Sequence, residues 1–458
     1  MTAAGNGADC GWDAEPEDTI TRDAAARGVV TEQAARTTFR DVFAVAEFRA
    51  LWLAQLLSVA GDQLARVALT VLVYDRTRSA LLAAVTFVVS IVPTFIGGVT
   101  LSWLADRYPR RRVMITCDLI RCGLVLVMAI HGMPIAAMVG LLFLVTLVGA
   151  PFTSARAAVY PDVLDGDKFV VGTAVTLTTF QFAQVLGFAA GGTITGFLGV
   201  GTSLVIDAAT FAGSAFIIFV WVRRRSAPAR QASQVSHAVP VSRSATIIGG
   251  FRLVFGNPAL RVPMLFGWLA AFYDAPEGVV TPLARSLGGG PVAVGFLLAA
   301  TALGITVGTL LFGRLVAPES RLRWMGPLAV ANCLILVVFA VRPALWAALI
   351  ILCAAGLCGC FQLGASAAFV RAAPPERRSQ AFGLAQGGMN LGQGLVMILA
   401  GAAAESFAPA RVIAVCGAIG AVAATALAIA WSQHRDRALD ASLSVITTSR
   451  WCARPLPS

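Results

Sequence analysis

Long apolar runs, separated by short polar segments, occupy the chain from about residue 49 to residue 432. A helix needs about 20 mainly apolar residues to cross a hydrocarbon core that is about 30 Å thick. The pattern therefore predicts twelve membrane-spanning helices. Their expected spans are residues 49–73, 80–104, 113–132, 134–156, 170–195, 200–222, 259–283, 291–315, 324–341, 344–369, 380–403 and 409–432.

One long polar interruption, which begins at residue 223, divides these runs into two groups of six. The sequence thus predicts an all-α integral membrane protein built from two pseudo-symmetric six-helix bundles. The expected parts are an N-terminal cytoplasmic arm (1–45), a first bundle (46–222), a cytoplasmic linker (223–258), a second bundle (259–432) and a cytoplasmic tail (433–458).

The composition excludes an ordinary soluble domain, because 57% of the residues are apolar and only 13% are charged, against about a quarter charged in soluble proteins. Nucleic-acid binding is a poor interpretation of the net charge of +11, since the basic residues are spread over many short loops. An intramembrane enzyme is disfavoured as well, because no nucleophile with a base and no metal-ligand set lies at membrane depth. We expect neither a cofactor nor a metal.

The basic residues predict the orientation. Placing both termini in the cytoplasm assigns 28 of the 35 Lys and Arg residues to cytoplasmic segments, and only five to the outside. Lys and Arg accumulate in cytoplasmic loops of membrane proteins. We therefore expect a multi-pass protein of the bacterial cytoplasmic membrane with both termini inside.

The two halves repeat each other. The first helix begins with "EFRALWLAQLLSVAGD" and the seventh with "ALRVPMLFGWLAAFYD", and each has an Arg followed thirteen residues later by an Asp. The fourth helix ends in "ARAAVYP" and the tenth in "VRAAPP". Duplicated bundles are common among transporters, where the substrate site lies between the repeats. The repeat predicts a central cavity between the halves.

Ionisable residues at membrane depth are functional candidates, because their insertion is costly. Asp62 lies about 20 Å along the first helix from Arg49, and Arg66 is one turn further on. We predict that these two residues take part in coupling transport to protons, although they could merely neutralise each other. Asp274 and Glu277 in "FYDAPEGVV" are a second candidate coupling pair, or else solvated acids at an extracellular mouth.

Two pairs of carboxamide residues lie at corresponding positions of the two halves, and the members of each pair are three residues apart. They supply neutral hydrogen-bonding groups. They predict a substrate cavity, with hydrogen bonding between helices as the alternative. These residues are Gln181, Gln184, Asn390 and Gln393. Asp118 with Arg121, and Asp207, are expected to serve packing or local pairing.

The turn after the second helix, "SWLADRYPRR", concentrates charge between two apolar runs. Together with "FRALWLAQLLSVAGDQLARVAL" it resembles the major facilitator superfamily, whose turn reads Gly-x-Leu-Ala-Asp-Arg-x-Gly-Arg-Lys. Within that family the sequence is similar to the exporters of drugs, macrolides and enterobactin. Ser102 and Pro109 replace the two glycines of the pattern.

The resemblance implies that this turn is a gating loop, which latches the first bundle to the eleventh helix when the cytoplasmic side is closed. An anchor for topology and anionic lipid is the simpler alternative. The residues implied are Ser102, Asp106, Arg107, Arg110 and Arg111.

The resemblance also implies proton-coupled efflux of small hydrophobic molecules, such as a drug, antibiotic, siderophore or other secondary metabolite, by alternating access. The run "GFAAGG" at residues 187–192 is similar to an antiporter signature but has Phe188 where that signature has proline. Uptake, lipid flipping and a transport-dead sensor remain open. The expected partners are the substrate, protons and the bilayer, and we expect a monomer.

Overall fold

The computed structural model describes residues 39–225, 251–374 and 377–452. Most of the predicted N-terminal arm and much of the predicted linker therefore lie outside the described residues. All regular secondary structure in the described ranges is helical. We refer to residues 39–225 as the N half and to residues 251–452 as the C half.

The N half consists of eight helical segments. They are α1 (Phe39–Phe43), α2 (Ala46–Thr77), α3 (Ala80–Val89), α4 (Val92–Thr100), α5 (Trp103–Arg107), α6 (Arg110–Met128), α7 (Ile135–Val163) and α8 (Asp167–Trp221).

In the C half, residues 251–256 are helical, and ten further helices follow. A 3₁₀ turn (Val338–Val341) comes after α14. The ten helices are α9 (Pro258–Trp268), α10 (Ala270–Tyr273), α11 (Ala275–Gly278), α12 (Val280–Ser286), α13 (Pro291–Leu315), α14 (Pro318–Val337), α15 (Leu345–Cys358), α16 (Phe361–Ala372), α17 (Arg378–Ala403) and α18 (Pro409–Cys452).

Eight helices in the described ranges are long and apolar enough to cross a membrane. Every apolar run of the sequence lies on helical segments, although three of the predicted spans are broken. The tenth is divided between Cys358 and Phe361. The second is divided at Ser90, because Pro93 lacks an N–H and its ring opposes the carbonyl of Val89, where α3 ends. The seventh is divided into α9–α12, with Pro276 and Pro282 each just after a break.

The chain reverses direction within the segment Asp167–Trp221. Gly199 has φ 82° and ψ 168°, a conformation that L-residues rarely adopt. The hydroxyls of Thr195 and Ser203 lie 3.0 Å apart, whereas eight residues of a straight helix rise about 12 Å. This break falls between the fifth and sixth predicted spans, as the hydropathy pattern indicated.

The two halves pack against each other along two pairs of helices. The start of α3 lies beside the end of α17, and the end of α4 lies towards the start of α17. At the other crossing, between α8 and α13, a Cβ on Gly192 would lie 2.7 Å from the Cα of Gly295. A buried apolar cluster is continuous across the interface, with Val67 and Phe87 on one side and Leu283 and Leu297 on the other.

We call the surface that carries the described chain ends near residues 46, 222 and 378 the terminal face, and the opposite surface the far face. Polar contacts join the halves at the far face. Arg285 donates to both carboxylate oxygens of Asp75 at 2.8 and 2.6 Å. Ser79 Oγ and the backbone N–H of Leu81 donate to Glu405 at 2.6 and 2.8 Å. The far face is thus closed in this conformation.

Candidate transport site

A central cavity of about 570 Å³ lies between the halves. Residues of α2, α4, α8 and the turn between α3 and α4 line it from the N half, and residues of α11, α13 and α17 line it from the C half. From Arg66 and Glu277 the cavity extends towards the terminal face, where it is lined by Gly98 and by the exposed side chain of Gln386. The cavity predicted from the repeat is therefore present.

Arg66 and Glu277 give the cavity one positive and one negative wall. Arg66 Nη2 donates to the carbonyl of Ser90 at 3.3 Å, and its guanidinium lies 5.4 Å from the ring centre of Phe87 and 6.0 Å from that of Phe188. Glu277 approaches from α11 of the other half. It lines the cavity wall together with Arg66.

Three of the four predicted carboxamides line the central cavity, namely Gln181, Gln184 and Asn390. Gln386, which was not predicted, lines it too and donates to Asn390 Oδ1 at 3.3 Å. Gln393 instead donates to Asp274 Oδ2 at 2.5 Å, so it links α17 to the neighbouring acid. On α17, the second carboxamide that lines the cavity is thus Gln386, one helical turn before Asn390, and not the predicted Gln393.

Asp62 and Arg66, which the sequence analysis considered as a self-neutralising pair in its alternative, do not form an ion pair in this conformation. Asp62 instead forms an ion pair with Arg121 of α6, with 2.5 Å between Oδ1 and Nη2. Arg121 also donates to Ser58 at 3.1 Å and its guanidinium lies 4.0 Å from the ring centre of Phe211. Sequence spacing pointed to Arg66 because it is on the same helix, whereas Arg121 reaches Asp62 from a neighbouring helix.

Arg121 is the centre of a charged cluster inside the N half. The sequence analysis expected its local pairing with Asp118 but not its ion pair with Asp62. Asp118 Oδ1 lies 3.8 Å from Arg121 Nη1, one turn away on α6, and Asp118 also accepts a hydrogen bond of 2.6 Å from Ser214. Asp207 is buried beside the same group. The signal in the sequence was the i, i+3 pair of opposite charges within an apolar run.

This cluster borders a second cavity of about 300 Å³ within the N half. Arg66, Ser90, Thr94 and Gln184 line both cavities, so the two adjoin. In the N half three carboxylates face three guanidiniums. They are Asp62, Asp118 and Asp207 against Arg66, Arg121 and Arg156.

In the described part of the C half, the carboxylates near the cavity are not matched by an equal number of guanidiniums. Asp274 and Glu277 are three residues apart, on either side of the break before α11. Asp274 accepts from Gln393, and no ion pair with either acid is formed among the described residues. The charge that faces Glu277 is Arg66 of the other half.

The predicted gating loop makes its described contacts within the N half. Ser102 precedes α5, Arg107 is exposed at its end, and α5 packs mainly on α6 and α7. Arg110 pairs with Asp162 at 2.7 Å. Arg111 donates to backbone carbonyls at the end of α8. The side chain of Asp106, the predicted latch, lies outside the described part of the structure.

Known proteins with this sequence pattern and fold are transporters. Residues 51–276 and 278–446 match the model of the Major Facilitator Superfamily. The chain is 26% identical over 276 residues to the enterobactin exporter EntS of Shigella boydii serotype 4 (strain Sb227). This match covers 58% of this chain and 63% of the exporter, and the exporter of Escherichia coli O157:H7 (strain EC4115 / EHEC) gives the same values. The chain thus matches less than two thirds of these relatives' length.

Solved structures share the fold at low identity. The nucleoside transporter NupG gives a TM-score of 0.64 at 15% identity, covering 83% of this chain and 99% of that one. A POT family transporter in complex with 5-aminolevulinic acid gives 0.66 at 9% identity, covering 84% and 96%. Because the family model covers most of the chain, the protein belongs to the Major Facilitator Superfamily and is a membrane transporter, not an enzyme.

Proposed function

We propose that the protein exports a small amphipathic molecule by alternating access of the central cavity, coupled to proton entry. In this proposal the chain crosses the bacterial cytoplasmic membrane twelve times, in two bundles of six, with the terminal face in the cytoplasm. This orientation places 28 Lys and Arg residues on the cytoplasmic side and only five on the outside, which supports it. The conformation described above would then be inward-facing.

The observation that carries the proposal is the central cavity, which both halves line and which is closed at the far face. Its volume of about 570 Å³ is in the range of small-molecule sites. A cavity at the interface of two rocking halves can be exposed to one side at a time.

The walls of the cavity favour an amphipathic substrate over a purely hydrophobic one. Four carboxamides, Arg66 and Glu277 offer hydrogen bonds and charge, while Phe95, Phe188 and Ile305 offer apolar surface. A substrate without polar groups would leave these groups unsatisfied, which costs binding energy. Export is favoured because the relatives at 26% identity are named enterobactin exporters.

We place proton coupling in the four predicted residues, with the C-half pair first. Asp62 already forms an ion pair with Arg121, whereas neither Asp274 nor Glu277 forms an ion pair among the described residues. Asp274 and Glu277 together carry one more negative charge than Arg66 can balance, and a proton can remove that excess. Arg66, which lies between Glu277 and the N-half cluster, would transmit the change between the halves.

Accumulation of a panel of compounds that includes enterobactin, in cells with and without the protein, tests the proposal. We expect lower accumulation of at least one amphipathic compound, and a protonophore should abolish the difference. Higher accumulation would mean uptake. Binding of a compound by the purified protein without flux in proteoliposomes would mean a sensor. Either result would overturn the proposal.

A further inference from the structure

A basic cleft of about 340 Å³ opens on the terminal face of the N half, away from the central cavity. It lies between the start of α6, the end of α7 and the segment that follows α8. Four arginines line it. They are Arg110, Arg111, Arg223 and Arg225.

The carboxylates near the cleft neutralise only two of these four arginines. Asp162 pairs with Arg110, and Glu47 pairs with Arg225. Arg111 donates to the carbonyls of Ile218 and Phe219, and no carboxylate of the described residues pairs with Arg111 or Arg223. The charges of two further arginines, Arg112 and Arg224, also act on Arg111. The cleft therefore has an excess of positive charge that an anion can balance.

An apolar groove of about 320 Å³ lies on the other side of the same helix end. Its lining is apolar except for Arg49, and consists of Phe43, Ala46, Arg49, Ala50, Trp52, Leu53, Ile217 and Trp221. Trp221 is 52% exposed, and it immediately precedes Val222, which lines the basic cleft. Aromatic residues at a helix end are typical of the depth at which lipid headgroups meet acyl chains.

We propose that the cleft and the groove together form a binding site for an anionic phospholipid of the surrounding bilayer. The headgroup phosphate binds Arg111 and Arg223 in the basic cleft, and an acyl chain lies in the groove along Trp221. Guanidinium groups bind phosphate oxygens with paired hydrogen bonds. The adjacency of a positive cleft and an apolar groove favours a lipid over a soluble anion, which would use the cleft alone.

The site also has a consequence for stability. The lipid phosphate would offset the repulsion among arginines that α6 and the segment after α8 bring together. It would thus hold the ends of α2, α6 and α8 at the membrane surface. This binding site is separate from the central cavity, so a test of lipid binding does not depend on the proposed transport function.

The test counts lipids bound to the full-length protein by native mass spectrometry, in micelles that contain equal amounts of phosphatidylglycerol and phosphatidylcholine. We expect the wild type to retain phosphatidylglycerol selectively. Arg223→Gln should weaken this binding about fivefold, and Arg111→Gln with Arg223→Gln about 25-fold, since each arginine near a membrane surface contributes about that factor. Arg323→Gln, an exposed arginine of α14 outside the site, is the matched control and should change nothing.

Two further variants separate the proposal from loss of folding and from binding of a soluble anion. Asp162→Asn should strengthen binding, because it frees Arg110, and Trp221→Ala should weaken it by removing the acyl-chain contact. Equal retention of both lipids by the wild type would overturn the proposal. So would competition by millimolar inorganic phosphate combined with no effect of Trp221→Ala, which would show a soluble phosphate site instead.

Discussion

Arg121 holds three elements of the N half together through its charge. It binds Asp62 of α2, lies within 4 Å of Asp118 on its own helix, and its guanidinium lies over Phe211 of α8. Only 5% of its side chain is exposed. Removing one partner of a buried ion pair leaves the other charge uncompensated, and this costs far more than the pair itself contributes.

Arg121→Met should therefore destabilise the N half strongly, by about 3–5 kcal/mol, and should lower the yield of folded protein. Thermal unfolding of the purified variant, followed by the loss of helical circular dichroism, measures this. Arg314→Met, which removes an exposed arginine at the end of α13, is the control and should unfold like the wild type. An unchanged midpoint of thermal unfolding for Arg121→Met would mean that the cluster does not contribute to the stability of the fold.

Two amide variants distinguish the roles of the proposed coupling acids Glu277 and Asp62. Glu277→Gln should abolish export driven by a pH gradient but keep exchange of substrate across the membrane, because the amide retains hydrogen bonding and cannot titrate. Asp62→Asn should mainly reduce stability, since its charge partner Arg121 remains. Transport by both variants in proteoliposomes, with and without a gradient, measures the difference. Gradient-driven export by Glu277→Gln at the wild-type rate would move the coupling role to Asp62.

The sequence predicted the important residue types better than their partners. Glu277, Gln181 and Asn390 were identified because polar groups in apolar runs need a reason to be there, and all three line the cavity. The pair of Asp62 with Arg121 was not predicted, because 59 residues separate them and only the arrangement of the helices in space decides which arginine is nearer. Hydropathy has no information on such contacts between helices.

At the scale of the helix, small residues control how closely the halves approach. A Cβ on Gly192 would lie 2.7 Å from the Cα of Gly295 and 2.8 Å from the carbonyl oxygen of Pro291. These contacts are to backbone, which cannot move aside as a side chain can. The run "GFAAGG", which resembles an antiporter signature, therefore also has a packing role at the crossing of α8 and α13.

Gly192→Ala should push α8 and α13 apart and weaken the closure of the far face. Overpacking of this kind costs about 1–3 kcal/mol. The matched control is Gly140→Ala in α7, where a Cβ would meet nothing within 4 Å. That change should be neutral or slightly stabilising. The ratio of far-side to terminal-side labelling of a cysteine introduced at Asn390 measures the closure, and equal ratios for the two variants would contradict the prediction.

The breaks within helices were predictable only in part. The break near Asp274 follows from Pro276 and Gly278, two residue types that interrupt helices. The break at Ser90 was not expected, although Pro93 provides the same cause, because the apolar run continues on both sides of it. Hydropathy reports how long a span is, whereas the backbone hydrogen bonds decide whether it is one helix.

For the whole molecule, the described conformation depends on how firmly the far face is closed. The ion pair of Arg285 with Asp75 is about one third exposed on each side. An exposed pair of this kind contributes only about 0.2–1 kcal/mol. Such weak contacts suit a transporter that must break and remake them in each cycle, since two states of similar free energy can exchange readily.

Replacing Arg285 by Gln should therefore shift the equilibrium towards the state that is open at the far face by no more than about fivefold. Far-side labelling of the cysteine at Asn390, in a background without native cysteines, measures the shift. Arg342→Gln, an exposed arginine at the end of the 3₁₀ turn, is the control and should leave labelling unchanged. A shift of a hundredfold would show that the pair dominates the closure.

Glu405 makes the same closure depend on pH. The hydrogen bonds from the backbone N–H of Leu81 and from Ser79 lower the pKa of this carboxyl below its ordinary value, which is about 4.3 for glutamate. A lowered pKa in the closed state means that the contact contributes fully above the ordinary value and is lost as the pH falls through the lowered one. Acid on the far side should therefore favour opening.

Far-side labelling of the cysteine at Asn390 should accordingly rise as the pH on the far side is lowered below about 4.3, while the terminal side is held neutral. In Glu405→Gln the labelling at neutral pH should already be raised, and this part of the pH dependence should be absent, because an amide cannot titrate. Arg285→Gln weakens the closure without removing this titration, so its labelling should start higher and still rise on acidification. A Glu405→Gln profile with the wild-type rise would assign the pH dependence to another group, and Glu277 within the cavity would be the first to test.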